Sequence, residues 1–219
     1  MPQAVKSKRR PSSRTHPRWQ RRKEARPAEI VAAALQVFVE RGYAATRLEE
    51  VARRAGVTKG TVYLYFDSKE ALFKAVVRET IVPSIARFED IAKAHTGTAR
   101  DLFLELIYSW WQLIGESQVS GIPKLMLAEA VNFPELARFY YDEVVSRGHR
   151  LVASVLERGI ASGEFRQVNV HAAVRLVIAP LLHAAHWRHS FALCMREPFD
   201  VPKYLESHAD IFLNGIAHA

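Results

Sequence analysis

The chain has 219 residues, 49% of them hydrophobic, and a formal net charge of +8 at neutral pH. This length accommodates one large domain or two small ones with a sizeable core. The single cysteine, Cys194, excludes an internal disulfide and favours a reducing, cytoplasmic compartment. The most apolar stretch, residues 174–195, contains Arg175, Arg188 and three histidines, so it predicts a buried helix and not a membrane span.

The positive charge is concentrated at the N-terminus. Residues 1–26 contain ten basic side chains and one acidic one, whereas the remaining residues are close to neutral. We predict a basic, disordered arm over residues 1–23 that attracts polyanions through counterion release. No apolar run follows the charges, which argues against a secretory signal. An Arg-rich transit peptide is an alternative, although the arm has no apolar face.

Helical periodicity begins at Pro27, a residue that suits the first turn of a helix. Gly42 predicts the end of this first helix. Thr46 and Glu49 match a capping box at the start of a second helix, and Gly56 predicts the sharp turn that follows it.

A third helix is predicted over residues 59–66, with Thr58 as its N-cap. Asp67 and Glu70 resemble a second capping box, opening a fourth helix that extends to about Pro83. The short second and third helices around a tight turn predict a helix-turn-helix over residues 47–66, which makes DNA binding the leading hypothesis.

The rest of the chain is helical in period and shows neither strand alternation nor an internal repeat. The further helical segments are predicted over residues 99–116, 123–132, 134–162, 170–193 and 202–217. Pro180 is expected to bend the penultimate helix. The predicted fold class is all-α, with a three-helix helix-turn-helix domain followed by a larger helical domain.

Residues 25–77 resemble the DNA-binding domain of TetR-family transcriptional regulators. The matching segments are the opening helix IVAAALQVFVERGYAAT, the second helix LEEVARRAGV and the segment TKGTVYLYFDSKEALF. The resemblance implies a DNA-binding domain over residues 24–84 and a regulatory and dimerisation domain over residues 85–219. It implies a ligand-responsive repressor, not an enzyme, that needs no cofactor, binds a palindromic operator in double-stranded DNA and is released by a small-molecule effector.

Eight residues are predicted to contact DNA. Lys59 can donate to guanine and the Thr61 methyl can contact a thymine methyl, while Gly60 lets the backbone approach the groove. Phosphate contacts are predicted for Arg47, Thr58, Tyr63, Tyr65 and Lys69. Packing is the alternative role for the two tyrosines. For the basic arm, non-specific phosphate attraction is favoured over entry into the minor groove.

The resemblance further implies a homodimer formed by the last two helices, with intrachain packing as the alternative for some residues. The candidate interface residues are Val174, Ile178, Leu181, Leu182, Phe212, Leu213 and Ile216.

The resemblance also implies a ligand cavity among the central helices, with ordinary core packing as the alternative. The candidate lining residues are Phe103, Tyr108, Trp110, Trp111, Phe133, Tyr140 and Tyr141. Such a lining predicts a mainly apolar or aromatic ligand.

Three histidines, His183, His186 and His189, raise a metal-site hypothesis, with Cys194 as a further candidate ligand. Three residues at this spacing on one straight helix converge poorly, so interface or partly exposed histidines are favoured and no metal is predicted. A histidine-based metal-dependent hydrolase is one alternative function. A non-specific nucleic-acid-binding protein driven by the basic arm is the other.

Overall fold

A computed structural model of the chain describes residues 18–194 and 196–217. Eleven α-helices form the architecture, and within these residues no strand occurs apart from one isolated bridge between Phe165 and Ala217. The predicted all-α class is confirmed. None of the described helices combines the length and the apolar character needed to cross a membrane.

The first four helices form a small unit around one core. They are α1 (Arg18–Arg41), α2 (Leu48–Arg54), α3 (Lys59–Tyr65) and α4 (Lys69–Thr80). The predicted glycine turns are confirmed, because Gly42 after α1 and Gly56 after α2 have φ values of +82° and +65°. A side chain at either position would be strained in this left-handed conformation.

Helix α1 begins earlier than predicted. It starts at Arg18, so Pro27 lies inside the helix and residues 18–23, assigned to a disordered arm, are helical. The favourable helix propensity of the Arg- and Ala-rich segment outweighs the cost of the one backbone hydrogen bond that proline removes. The rest of the predicted arm, residues 1–17, lies outside the described residues.

Two of the three predicted caps are wrong. Thr58 caps α3 as expected, since its side chain accepts a hydrogen bond from the Thr61 N–H. Helix α4 is capped by Ser68 instead of Asp67. Helix α2 has no side-chain cap, because the buried Thr46 hydroxyl donates to the Gly42 carbonyl at 2.6 Å. Thr46 therefore stabilises the loop between α1 and α2 and not the helix start.

Seven further helices follow. They are α5 (Val82–Ala94), α6 (Ala99–Trp110), α7 (Gly121–Glu129), α8 (Pro134–Tyr140), α9 (Ser146–Ser162), α10 (Val170–Arg188) and α11 (Val201–Ile216). Helix α5 was not predicted as a separate element. A π-helical turn, Trp111–Gly115, extends α6, and a second, Tyr141–Val145, joins α8 to α9. Both turns replace what the sequence predicts as continuous helix.

The buried side chains form two clusters. The first lies between α1, α2, α3 and α4 and includes Phe38 packed edge-on against Phe73. It extends into α7 and α8 through Ile122, Leu125 and Leu136. The second cluster lies between α6, α9, α10 and α11. The N-terminal unit therefore shares its core with two helices of the C-terminal part, and the two are packed as one body.

Two glycines of α9 differ in their surroundings, which gives a test of the packing. A Cβ on Gly159 would lie 2.0 Å from the ring of the buried Phe165, whereas a Cβ on Gly148 would meet nothing within 4 Å. We expect Gly159→Ala to lower the free energy of unfolding by about 1–3 kcal/mol through overpacking. Gly148→Ala should raise it by about 0.5–1 kcal/mol. Urea denaturation of both variants measures this, and a stable Gly159→Ala protein would contradict the described packing.

Candidate DNA interface and effector cavity

The α3 helix presents an exposed face at the surface of the N-terminal unit. Val62 is fully buried and anchors the helix, while Lys59, Gly60 and Tyr63 are exposed. Thr61 is half-buried, and its hydroxyl lies 2.9 Å from that of Thr58. The predicted base-reading positions therefore lie on one accessible side of a short, capped helix, as groove recognition requires.

Lys59 has a partner that the sequence did not suggest. Its Nζ lies 2.5 Å from Glu49 Oε1 on α2 and stands over the ring of Tyr63. The hydrogen bond to Glu49 raises the pKa of Lys59, and the same bond lowers the pKa of Glu49. Both side chains are exposed, so the pair can open when a stronger acceptor approaches.

The other predicted contacts divide into two groups. Arg47 and Thr58 are exposed beside α3, whereas Tyr65 is half-buried against the core of the N-terminal unit. Packing is thus part of the role of Tyr65. Leu64, which is not among the predicted contacts, has a side chain that is 74% exposed on α3.

Lys69 has a structural role instead of the predicted phosphate contact. Its Nζ donates to three backbone carbonyls of the loop between α1 and α2, those of Tyr43, Ala44 and Thr46, at 2.8, 3.0 and 3.1 Å. The ammonium group has three donors, and all three are used. Burial lowers the pKa of Lys69, and the nearby Glu129 carboxylate opposes that shift.

The same loop is held from the C-terminal part of the chain. Glu129, the last residue of α7, accepts a hydrogen bond from the Ala44 N–H at 2.9 Å. Phe133 packs edge-on against Tyr43, with ring centroids 4.7 Å apart. We call this set of contacts the loop clamp: Lys69, Glu129, Tyr43 and Phe133 around residues 42–47. It joins the helix-turn-helix to α7.

A cavity of about 640 Å³ lies among α5 to α10. Its lining is almost wholly apolar, with side chains such as Phe88, Ile107 and Val177 on three different helices. Both π-helical turns contribute to the wall, through Ile114 and Tyr141. A cavity of this size and character suits a drug-sized apolar molecule.

Four of the seven predicted lining residues face this cavity: Phe103, Trp110, Tyr140 and Tyr141. The other three do not, because each has a different neighbour. Tyr108 lies in a separate groove between α6 and α11. Trp111 is buried over Gly115, and Phe133 belongs to the loop clamp. Sequence reasoning missed Phe88, His149 and His186, whose positions in the wall depend on helix packing.

The predicted interface residues mostly face the interior of their own chain. Four are buried in the second core cluster: Val174, Leu181, Leu213 and Ile216. Ile178 and Leu182 line the cavity, and Phe212 stacks on Phe103 with parallel rings 5.3 Å apart. Four of these assignments are corrected, because Val174, Leu181, Leu213 and Ile216 are buried within their own chain, whereas the half-buried Ile178, Leu182 and Phe212 stay predictions.

The three candidate histidines, His183 and His186 on α10 and His189 just after it, diverge. His183 packs among Trp187, Phe199 and Tyr204, and His189 Nε2 lies 2.8 Å from the Ser120 hydroxyl. His186 lines the cavity. In the part of the chain that the structure describes, no group of three or more His, Cys, Asp or Glu side chains could hold a metal ion.

An exposed, capped helix-turn-helix connected to an apolar cavity defines a DNA-binding regulator of the ligand-controlled class. Comparison with known families agrees. Residues 30–76 match the model of the bacterial regulatory proteins, tetR family, and residues 94–192 match the tetracyclin repressor-like C-terminal domain.

Relatives and solved structures give the same result. The chain is 30% identical over 147 residues to the fatty acid metabolism regulator protein of Bacillus subtilis, covering 66% of this chain and 74% of the relative. It is 26% identical over 167 residues to the transcriptional repressor KstR2 of Rhodococcus jostii, covering 75% and 80%. FadR of Bacillus halodurans has the same fold, with a TM-score of 0.71 at 23% identity over 89% of this chain and 97% of that one. This chain therefore belongs to the TetR family of transcriptional regulators.

The structural role of Lys69 gives a stability test. We expect Lys69→Met to lower the free energy of unfolding by about 2 kcal/mol, because three backbone carbonyls of the loop lose a charged donor. Lys74→Met on the same helix removes a partly exposed i,i+4 pair with Glu70 and a cation–π contact with Phe139, and it should cost no more than about 1 kcal/mol. Chemical denaturation of the two variants compares them, and equal costs would show that the three carbonyl bonds contribute nothing.

Proposed function

We propose that this regulator is a repressor that binds a palindromic operator as a homodimer and leaves it when an apolar small molecule enters the cavity. One observation carries the proposal: α7 lines the cavity through Met126 and Leu127 and holds the helix-turn-helix loop through Glu129. In this scheme residues 24–84 are the DNA-binding domain and residues 85–219 are the regulatory domain.

On the DNA, Lys59 and Thr61 read bases, and the exposed Leu64 adds an apolar contact to a thymine methyl. On binding, Lys59 gives up its ion pair with Glu49 and donates to a guanine edge. Lys59 therefore favours DNA sites that have a guanine opposite it. Arg47, Thr58 and Tyr63 contact phosphates. The basic residues before α1 add sequence-independent attraction.

A homodimer supplies the second recognition helix that a specific site needs. The outer face of α10 and α11, which points away from the core of the chain, supports a dimer because it exposes apolar side chains. Leu176 and Ile211 are 63% and 73% exposed there. Ala179 and Gly215 are also exposed and small enough for close helix approach. We propose these four residues as the centre of the interface in place of the four predicted residues that are buried in their own chain.

The effector is proposed to be an apolar, chain-like or ring-shaped molecule of the fatty-acyl or steroid class. The lining supports this class, as do two neighbours in fold, each under 25% identical. One is FadR of Bacillus subtilis in complex with stearoyl-CoA, with a TM-score of 0.67, and the other is the ketosteroid regulator KstR2 of Mycobacterium tuberculosis, with 0.70. Arg138 and Tyr141 are exposed beside the cavity and suit a polar end group at its mouth.

The operator test uses DNA that flanks the chain's own gene. We expect specific binding retained near physiological salt, with two chains per duplex, measured by fluorescence anisotropy. Lys59→Ala should weaken binding about 10- to 100-fold and relax the preference at one or two base pairs. Lys93→Ala, an exposed lysine on α5, is the control and should leave binding unchanged.

Two outcomes would contradict the proposal. Equal, steeply salt-dependent binding to any duplex would favour the non-specific alternative driven by the basic arm. A uniform loss on all sequences in Lys59→Ala would make Lys59 a phosphate contact and remove it from base recognition.

The loop clamp gives the route from cavity to DNA, because α7 contacts both. With stearoyl-CoA as the probe, we expect Glu129→Ala to bind the probe normally but to lose about 0.5–2 kcal/mol of coupling between probe and operator. The measurement is the ratio of operator dissociation constants with and without probe. Glu135→Ala, an exposed glutamate on α8, should keep the wild-type ratio. An unchanged ratio in Glu129→Ala would exclude this route.

A further inference from the structure

One hydroxyl group in the cavity wall has no partner among the residues that the structure describes. It belongs to Tyr140, the last residue of α8, which lines the cavity and is only 8% exposed. This hydroxyl makes no hydrogen bond with a described residue. Within the same residues, the unpartnered side-chain atoms that are sealed from water are Glu50 Oε1 and His186 Nε2. The Tyr140 hydroxyl is not one of them, so a water-sized molecule can reach it.

The surface that this hydroxyl keeps belongs to the cavity. The Tyr140 side chain is part of the first core cluster, and burial raises its pKa without a contribution from a hydrogen bond or a neighbouring charge. A hydroxyl at the outer surface of the protein would not be desolvated in this way. Because Tyr140 also lines the cavity, the cavity is the space from which a partner atom can approach its hydroxyl.

The polar groups around the cavity are placed differently from this hydroxyl. Arg138 and Tyr141 are exposed beside the cavity, and His149 is half-buried on α9. Among the described residues that line the cavity, none is acidic, and most are aliphatic or aromatic. Tyr140 therefore presents a neutral polar group deep within an apolar wall, away from the exposed groups that suit a polar end group.

The chemistry of the missing partner follows from the phenol. Its hydroxyl has one donor hydrogen and can also accept a hydrogen bond. A pure hydrocarbon that covered the hydroxyl would leave it unpaired, which is costly. A neutral oxygen would supply the bond, whereas a charged group would add the cost of burying a charge in apolar surroundings. The matching group is thus a neutral acceptor oxygen.

We propose that Tyr140 is a specificity-determining residue, whose hydroxyl donates a hydrogen bond to a neutral carbonyl or hydroxyl oxygen within the apolar body of the effector. This inference rests on the proposed function, since it specifies the chemistry of the same effector. It adds that an unsubstituted hydrocarbon body is not preferred. The preferred effector carries an oxygen where the α8 wall presents the phenol.

The test scans the position of one oxygen along a chain. Stearic acid and a set of ketostearic acids, with the carbonyl at successive positions, are titrated against the wild-type protein. Tryptophan fluorescence reports binding, because Trp110 lies in the cavity wall. A ketone oxygen only accepts hydrogen bonds, so a gain in affinity requires a donor on the protein. We expect one position to bind about tenfold more tightly than stearic acid.

Two matched variants assign this gain to one hydroxyl. Tyr140→Phe removes the hydroxyl and keeps the ring, so it should abolish the gain without weakening the binding of stearic acid. Tyr141→Phe removes the exposed hydroxyl of the next residue and should leave the tenfold ratio intact. Loss of the ratio in Tyr141→Phe and not in Tyr140→Phe would overturn the proposal.

A second measurement needs no ligand. Since the Tyr140 hydroxyl has no partner within the described chain, Tyr140→Phe should leave the melting temperature of the free protein within about 1 °C of the wild type. A fall of about 2–4 °C would show that the hydroxyl makes a stabilising bond within the protein. That result would overturn the proposal whatever the acids do.

The two proposals fail differently. If stearic acid binds but no carbonyl position gains affinity, or if Tyr140→Phe keeps the gain, the role of Tyr140 is wrong and the apolar effector survives. If none of the acids binds, the fatty-acyl class fails, and androstane with its 3-keto and 17-keto derivatives repeats the comparison for the steroid class. If neither series binds the wild-type protein, both proposals are overturned.

Discussion

The loop of residues 42–47 is the constraint on which the rest of the molecule depends. Its carbonyl groups converge on the single ammonium group of Lys69, and its Ala44 N–H is bonded to Glu129. Because the loop connects α1 to α2, these bonds set the orientation of the helix-turn-helix relative to α7. The exposed face of α3 therefore has a defined position with respect to the cavity, which is the physical requirement for control of DNA binding by a ligand.

The cavity lies where the central helices are interrupted. The π-helical turns at Trp111–Gly115 and Tyr141–Val145 interrupt the regular helices, and residues of both turns line the cavity. Gly115 permits the first turn, because a Cβ there would collide with the ring of Trp111. What remains is an apolar space among α5 to α10.

Much of the fold could be predicted from local patterns. Helical periodicity predicted nearly every helix, and the left-handed glycines after α1 and α2 ended them as expected. The cap at Thr58 was also correct, whereas Thr46 and Asp67 were not caps, because a buried hydroxyl and a neighbouring serine competed for those roles. For the candidate site, the exposure of Lys59 and Tyr63 could be predicted from their spacing. The hydrogen bonds from Lys69 to the loop between α1 and α2 could not.

By itself, the sequence determined the helical class, the helix-turn-helix and the family, since these depend on residues close together in the chain. Only the tertiary structure decided which aromatic side chains face the cavity and which apolar residues of α10 and α11 are buried in the core of their own chain. It also decided that Glu129 accepts a hydrogen bond from Ala44. The physical reason is distance along the chain. Periodicity assigns a residue to the apolar side of its helix, but the neighbour it meets there is set by the packing of helices up to 85 residues away.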